Sequence, residues 1–249
     1  MHATHARSAA VTDEPPPVIW ARLSSQGRGP ARTLDYRAIT TAAIALADED
    51  GVDAVSMRKV AGRMDHSPMS LYRHIGSKED LTELMYDAVL GELDLTGIPS
   101  GSWRADVARL AGEMRRLHHA HPWIVRFGHR PSLGPNARRF LETGLACVDG
   151  LGLDIDGMLD LLSTALQFTR GFVVQELGEV EAQRRTGLDF AGYQRHTGPF
   201  ITQLLQEGGL PYLRRLVLEA EDLPDPDVVF ERRLGMVLDG LAAGIGRRG

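Results

Sequence analysis

The stretch Ser56–Lys78, SMRKVAGRMDHSPMSLYRHIGSK, contains the start signals of two short helices separated by a tight turn. Ser56 and Ser67 suit N-cap positions, where a side-chain oxygen accepts a hydrogen bond from a free helix N–H, and Pro68 suits the first helical position. Asp65 tolerates the left-handed conformation that ends a helix. The residues that helical spacing turns toward a shared core are Val60, Ala61, Met64, Leu71 and Ile75.

The second of these helices leaves one face outward, with Met69, Ser70, Arg73 and His74 on it and Tyr72 at its margin. Five basic residues and one acid lie within 56–78, whereas the whole chain has a net charge of −5, so positive charge is concentrated here. A short exposed helix of this kind suits the major groove of duplex DNA. A solvated face on an ordinary helix pair fits the same pattern, and pattern and charge alone leave both interpretations open.

A longer stretch, 34–90, resembles the DNA-binding domain of TetR-family (tetracycline-repressor-type) transcriptional regulators. The matching residues are AITTAAIALADEDGVDAVSMRKVAGRM at 38–64 and SPMSLYRHIGSKEDL at 67–81. The family usually has Gly and then an aliphatic residue in the turn, where this chain has Asp65 and His66. This departure puts the entry angle of the second helix in doubt.

The resemblance implies DNA contacts position by position. Met69, Ser70 and Arg73 are the implied base readers, while Tyr72, His74 and Lys78 are the implied phosphate anchors. The Gly- and Ser-rich segment 24–32 resembles arms that insert an arginine, here Arg28, into a minor groove; a solvated linker is the alternative. The implied DNA-contacting set is Arg28, Met57, Arg58, Pro68, Met69, Ser70, Tyr72, Arg73, His74 and Lys78.

Composition indicates a soluble globular protein. Hydrophobic residues make up 43% of the 249 residues and charged residues 24%. We expect no membrane association and a cytoplasmic location, because no apolar run could span a bilayer and the start of the chain lacks an apolar signal core. The single cysteine, Cys147, excludes an internal disulfide framework and is predicted to be a small buried residue.

Helical periodicity continues through most of the chain, and no alternating strand pattern occurs. We predict an all-α protein with a flexible N-terminal arm (1–33), a helix-turn-helix DNA-binding domain (34–95) and a larger C-terminal helical ligand-binding and dimerisation domain (102–249). The apolar pair at 19–20 is expected to dock onto the C-terminal body. The polar segment 183–198 is expected to be mobile.

The size of the body predicts a homodimer, because two linked heads reach two half-sites with a large gain in effective concentration. The candidate seam is a long helix at 155–181 with the last helix at 228–245; burial in one intrachain core is the alternative. The resemblance further implies a pocket for an apolar or aromatic inducer, with ordinary core packing as the alternative for each residue. The candidate lining residues are Trp103, Met114, His118, Trp123, Phe127, Phe140, Thr164, Phe168 and Phe172.

No catalytic motif is present. The histidines at 118, 119, 121 and 129 lack the spacing of a helical metal site, and there is no HExxH, paired-cysteine or phosphate-loop motif. We therefore expect no catalytic residue, no metal, no cofactor and no enzymatic activity. The predicted function is a ligand-responsive transcriptional regulator, a dimeric repressor that binds palindromic operator DNA and is released by a small-molecule inducer. The alternatives are a helical small-molecule binding protein with a degenerate head, and an activator.

Overall fold

The structure is a computed structural model that describes residues 18–25, 35–127, 132–220 and 225–246. These ranges are helical and contain no strand. Within them, no helix is both long and apolar enough to cross a bilayer. The described residues also include two 3-10 turns, at Val52–Ala54 and Pro122–Arg126. The α-helices are α1 (Ile19–Ser25), α2 (Tyr36–Asp50), α3 (Met57–Arg63), α4 (Pro68–Tyr72), α5 (Lys78–Leu90), α6 (Trp103–Ala120), α7 (Pro135–Val148), α8 (Ile155–Thr186), α9 (Phe190–Glu207), α10 (Pro211–Glu219) and α11 (Pro226–Ile245).

Helices α2 to α5 form the N-terminal head. Helix α2 starts where Asp35 Oδ1 accepts a 2.8 Å hydrogen bond from the N–H of Ala38, and it ends at Gly51, whose φ of 81° favours glycine. Leu71 and Ile75, on either side of the end of α4, are fully buried in the head core. The short helix pair thus packs back onto α2 and α5, which leaves the opposite face of α4 to solvent.

Helix α1 packs against the head. Ile19 is only 3% exposed and lies in the same core cluster as Ile39 and Leu81 of α2 and α5. Trp20 and Leu23 pack against that cluster. The apolar pair at 19–20, expected to dock onto the body, packs on a cluster made mainly of head residues that also includes Leu117 and Trp123 of the body. The pair belongs to a short helix that closes the head core.

The body is centred on α6, α8 and α11, and Arg115 of α6 ties the three together. Its Nη2 lies 2.6 Å from Glu176 Oε1 of α8, and its Nη1 lies 2.7 Å from Asp227 Oδ1 of α11. The guanidinium also lies 4.8 Å from the ring centroid of Phe230, a cation–π arrangement. Burial opposes ionisation of Glu176, but hydrogen bonds from Arg115 and His119 hold its pKa below the usual value.

Cys147 of α7 is buried, as predicted. Its Sγ lies 3.1 Å from the carbonyl oxygen of Thr143, and burial raises the pKa of the thiol to about 11. A thiol with so high a pKa carries little thiolate near neutral pH and is a poor nucleophile.

Head and body share a continuous contact through α5 and α7. Asp87 of α5 accepts hydrogen bonds from the N–H groups of Asn136 (3.0 Å) and Ala137 (2.9 Å), so it caps the start of α7. Burial raises the pKa of Asp87, although these hydrogen bonds favour its ionised form. A Cβ on Gly134 would lie 2.0 Å from Asp87 Oδ1, so this close approach requires glycine.

The segment expected to be mobile, 183–198, is helical over most of its length. Helix α8 continues to Thr186 and ends at Gly187, which has a φ of 71°. Asp189 then caps α9 by accepting a 2.7 Å hydrogen bond from the N–H of Gly192. The polar composition of this segment does not prevent helix formation, and its mobility stays a prediction. Helix α10 follows with none of its residues buried.

Candidate nucleic-acid interface

The turn between α3 and α4 adopts the geometry that the sequence predicts. Asp65 has a φ of 56° and ends α3 in a Schellman arrangement: the N–H of His66 donates to the carbonyl of Ala61 (2.9 Å), and that of Asp65 to Gly62 (3.3 Å). Ser67 then caps α4 by accepting a 3.3 Å hydrogen bond from the N–H of Ser70. Replacing the family's Gly with Asp65 therefore preserves the turn, at the modest cost of a non-glycine residue in the left-handed region.

Helix α4 presents the predicted face to solvent. Met69 is 68% exposed and Tyr72 is 48% exposed. Arg73 and Pro68 are also exposed, whereas Ser70 and His74 are partly buried. The hydroxyl of Ser70 donates to the carbonyl oxygen of Ser67 (2.5 Å), so in this state it offers a ligand only acceptor capacity. The outward surface is thus a large apolar tip, a guanidinium and a phenol on one short helix.

Two of the ten implied DNA-contacting residues, Met57 and Arg28, are not part of the described exposed surface. Met57, at the start of α3, is only 5% exposed and belongs to the head core. Its side chain is therefore unavailable to DNA, which corrects the inference by position: the residue after the Ser56 cap turns inward to pack against α2. Arg28, with most of the predicted arm 1–33, lies outside the described residues.

The cations of the head divide into paired and unpaired groups. Arg63 forms a bidentate pair with Glu49 of α2, with one contact at 2.5 Å and the other at 2.6 Å. Arg58, Lys59, Arg73 and Lys78 are exposed, and among the described residues none forms an ion pair with them. These four charges within 56–78 are available to neutralise phosphates, because a cation already paired with a carboxylate gains less from a second anion.

A polar junction connects the head to the body. His121, at the end of α6, places Nδ1 2.8 Å from Asp48 Oδ1 of α2 and Nε2 3.1 Å from Glu92 Oε2, just after α5. The indole N–H of Trp123 donates to the same Asp48 oxygen (2.7 Å). Burial opposes protonation of His121, but the hydrogen bonds to the two carboxylates outweigh it and raise its pKa.

The sequence predicts Trp123 as a lining residue of the ligand pocket. Instead, Trp123 is buried at the junction with α2, and Arg126 of the same 3-10 turn pairs with Asp53 of the head at 2.7 Å. No sequence signal at Asp48 marks this role. The break at Pro122 was the available clue, since a turn that ends a central body helix has to contact another element.

The body contains a groove of about 680 Å³ between α6 and α11. Small residues of α6, among them Ala105, Ala108 and Gly112, face the apolar side chains Phe230, Leu234 and Leu238 of α11. Arg104 and Arg115 supply positive charge along the same groove, with Asp227 and Glu231 opposite. The lining therefore suits an aromatic or apolar molecule with polar substituents.

None of the nine predicted pocket residues lines this groove. Thr164 is exposed on α8, with its hydroxyl donating to Asp160 O (2.7 Å). Met114, Trp123 and Phe127 belong to the head-side cluster, and Trp103, Phe168 and Phe172 belong to the body cluster. Phe140 touches both clusters. His118 is buried with Nδ1 2.6 Å from Met114 O, and burial lowers its pKa.

The mismatch has a simple cause. Sequence reasoning selected large aromatic residues, but in the folded chain these mostly fill the core, as in the Phe168, Phe172 and Phe230 cluster with ring centroids 5.2–6.0 Å apart. The groove exists where α6 carries alanine and glycine. Phe172 and Phe168 approach it through the Phe230 ring, with centroids 5.2 and 6.0 Å from that ring.

Family comparisons agree with this division into head and body. The model for "Bacterial regulatory proteins, tetR family" matches residues 39–85, and the model for "Tetracyclin repressor-like, C-terminal domain" matches residues 97–245. The first range holds the α3–α4 reading unit. The second holds the groove and the junction turn.

Individual relatives extend over most of the chain. The HTH-type transcriptional repressor DrrR1 of Streptomyces coeruleorubidus is 32% identical over 234 residues, covering 93% of this chain and 86% of the relative. The class A tetracycline repressor from transposon 1721 of Escherichia coli is 27% identical, covering 84% of this chain and 91% of the relative.

Solved structures show the same arrangement. Apo ActR from Streptomyces coelicolor superposes with a TM-score of 0.67 at 27% identity, covering 88% of this chain and all of ActR. ActR in complex with actinorhodin gives a TM-score of 0.64 at 28% identity, covering 86% of this chain and all of that one. The exposed reading helix, the helical body and these matches together identify the chain as a member of the TetR family, a ligand-responsive transcriptional regulator with an N-terminal DNA-binding head.

Proposed function

We propose that the chain is a homodimeric repressor that binds a palindromic operator in the cytoplasm and is released by an apolar or aromatic small molecule. The exposed face of α4 carries this proposal: Met69, Tyr72 and Arg73 project from a helix whose other face is locked into the head core. Base readout needs such a rigid, outward helix, because a loosely held one would lose entropy on binding.

Dimerisation is supported by unpartnered surface on the predicted seam. Met236 of α11 is exposed, and Gly240 and Ala243 lie on the same face at helical spacing. Nothing lies within 4 Å of a Cβ built on Gly240, so a second helix has room to approach there. Sedimentation should give twice the chain mass, and Gly240→Arg should shift the protein towards monomer. A monomeric wild-type protein would contradict the homodimer.

The ligand class is supported by the groove and by relatives. ActR has been solved with actinorhodin and with (S)-DNPA. In this chain, Phe230, Leu234 and Leu238 would contact the body of such a ligand, and Arg104 would contact its polar substituents. Actinorhodin is the probe, measured by calorimetry. We expect Ala108→Phe, which fills the groove, to abolish binding, while Phe140→Ala leaves it unchanged. The reverse result would favour the aromatic set predicted from sequence.

Release from DNA follows from the path of α6. One face of α6 lines the groove, and its last turn leads into His121 and Trp123, which contact Asp48 of the head. Arg170 of α8 also donates to the carbonyl of Val125 in the same 3-10 turn. A ligand that shifts α6 against α8 and α11 would therefore move α2, and with it the spacing of the two heads. Binding of ligand and operator would then be reciprocal.

Fluorescence anisotropy with duplexes from the DNA flanking the chain's own gene tests the proposal. We expect saturable binding to a short palindrome, reversed by a ligand that fills the groove. Ligand binding without any sequence-specific DNA binding would favour the alternative of a small-molecule binding protein with a degenerate head. Deletion of the gene should raise expression from the flanking promoter, whereas a fall would identify an activator.

A further inference from the structure

Helix α1 lies outside both ranges matched by the family models, yet it is part of the DNA-binding head. Its buried residue Ile19 completes the head core, with Trp20 and Leu23 packed on the same cluster. A short helix gains little stability by itself, so α1 persists because of these tertiary contacts. One polar contact of α1, made by Arg22, is directed at the turn that joins the reading helix α4 to α5.

Arg22 holds both sides of that turn. Its guanidinium pairs with the carboxylate of Asp80, in the first turn of α5, and the two side chains are 30% and 15% exposed. The same guanidinium covers Gly76: a Cβ at this position would lie 2.9 Å from Arg22 Nη1. Tyr72 and Arg73 immediately precede the turn, and Lys78 immediately follows it. Arg22 thus fixes the segment that carries the implied phosphate anchors.

Trp20 attaches the other end of α1 to α5 and to the body. Its indole N–H donates to Glu83 Oε1 (2.8 Å), and the same oxygen accepts a hydrogen bond from the hydroxyl of Ser132 (2.5 Å), just before α7. Arg22 and Trp20 therefore contact α5 at two points, Asp80 and Glu83. Two contacts with α5 fix the orientation of α1, whereas a single contact would let α1 rotate about it.

We propose that α1 is a positioning element for operator binding, in which Arg22 sets the α4–α5 turn through Asp80 and Gly76 while Trp20 anchors α1 to α5 and the body. This inference rests on the proposed DNA-binding function. It assigns to a helix outside the matched family ranges a share of the operator affinity without a contact to DNA. The competing explanation is that Arg22 itself binds a phosphate.

Charge separates the two explanations. If Arg22 acts by direct phosphate contact, Arg22→Ala lowers the slope of log affinity against log salt by about one, and Asp80→Asn tightens binding because it removes a repulsive charge. If Arg22 acts by positioning, Asp80→Asn weakens binding even though it removes a negative charge. Glu79→Gln is the matched control, since Glu79 is an exposed acid in the same helical turn and has no role in the proposal.

The experiment uses a duplex from the DNA that flanks the gene and that the wild-type protein binds. The fluorescence anisotropy of this duplex is measured with each variant across a series of salt concentrations. We expect Arg22→Ala and Asp80→Asn each to weaken binding about fivefold with an unchanged salt slope, and the double variant to lose no more than either single variant. Glu79→Gln should bind as tightly as wild type or slightly tighter. Tighter binding by Asp80→Asn, or a shallower slope for Arg22→Ala, overturns the proposal.

Gly76→Ala keeps the inference testable if a charge variant fails to fold. It displaces the Arg22 guanidinium without changing any charge. We expect Gly76→Ala to weaken operator binding when it is made in the wild-type protein. When it is combined with Arg22→Ala, we expect little further loss of operator binding. Equal losses in both backgrounds would contradict positioning through Arg22. A wild-type protein that binds no flanking duplex would instead refute the proposed function, so the two failures are distinguishable.

Discussion

Asp48 of the head accepts a 2.7 Å hydrogen bond from the indole N–H of Trp123 in the body. His121 contacts the same carboxylate oxygen at 2.8 Å and reaches Glu92 with its other ring nitrogen. Helix α2 of the head is therefore fastened to the turn that ends α6. A movement of α6 relative to the rest of the body can therefore reach the DNA-binding head through this junction.

Protonation of His121 should strengthen this junction. Its raised folded-state pKa means that its contribution to stability is fully present below the unfolded value of about 6.5 and is lost as pH rises through the folded pKa. We expect His121→Asn to lower the free energy of unfolding by roughly 1–2 kcal/mol at about pH 5.5 and by less at about pH 8.5. Urea unfolding at both pH values measures this difference.

The comparison with the variant at each pH matters because His118 has the opposite sign. Its pKa is lowered by burial, so it reduces wild-type stability as pH falls below about 6.5. That contribution is common to wild type and His121→Asn and cancels in their difference. A destabilisation by His121→Asn that is larger at the higher pH would contradict the assigned hydrogen bonds.

Phosphate anchoring should appear in the salt dependence. Lys78→Ala removes an exposed, unpaired cation at the start of α5 and should reduce the slope of log affinity against log salt by about 0.9. Tyr72→Phe removes a neutral donor and should weaken binding with an unchanged slope. Arg215→Ala, whose guanidinium pairs with Glu219 on exposed helix α10, is the control and should match wild type. If the slope of log affinity against log salt is unchanged in Lys78→Ala, Lys78 at the start of α5 does not contact a DNA phosphate.

Base reading should respond differently to substitution. Arg73→Gln and Met69→Ala change groups on the outward face of α4, and we expect altered preference at particular base pairs, by about 1–3 kcal/mol each. Binding to a set of operators with single base-pair substitutions measures this change. A loss that is uniform across the set, as expected for Lys78→Ala, would show that these side chains contact only the backbone.

Arg115 should be the main polar contributor to body stability. Arg115→Ala leaves Glu176 partly buried without its strongest partner, and we expect a loss of roughly 2–3 kcal/mol in unfolding free energy. Arg215→Ala again provides the control, because its exposed pair with Glu219 should contribute less than about 0.5 kcal/mol. Equal effects of the two substitutions in thermal or urea unfolding would contradict a special role for Arg115.

The head could be predicted from sequence because its signals are local. Ser56, Asp65, Ser67 and Pro68 act within one helical turn, and each occupies the position its chemistry favours. The direction of a side chain relative to distant helices is not local information. Met57 was inferred as a contact from its place in a motif, whereas packing on α2 turns it inward.

The body shows the same limit more strongly. Cys147 and the last helix follow their patterns, because burial and periodicity suffice to place them. The groove depends on the absence of large side chains on one face of α6, since Ala108 and Gly112 leave space only when α11 lies opposite them. From the sequence alone, aromatic residues such as Phe168 are plausible lining residues of a ligand pocket, but in the folded chain they pack in the core. The sequence around Asp48 does not indicate its two hydrogen-bond partners, His121 and Trp123, which lie 73 and 75 positions away.

Footprinting of the wild-type protein on the DNA that flanks its own gene tests the central claim most directly. A dimer that reads its operator with α4 should give two protected half-sites related by dyad symmetry, with centres about 10 bp or a multiple of that apart. Protection should be lost in the Met69→Ala, Arg73→Gln double variant, which leaves the buried face of α4 intact. Even, sequence-independent protection by the wild-type protein, or none at concentrations where it is folded, would contradict the assignment of α4 as an operator-reading helix.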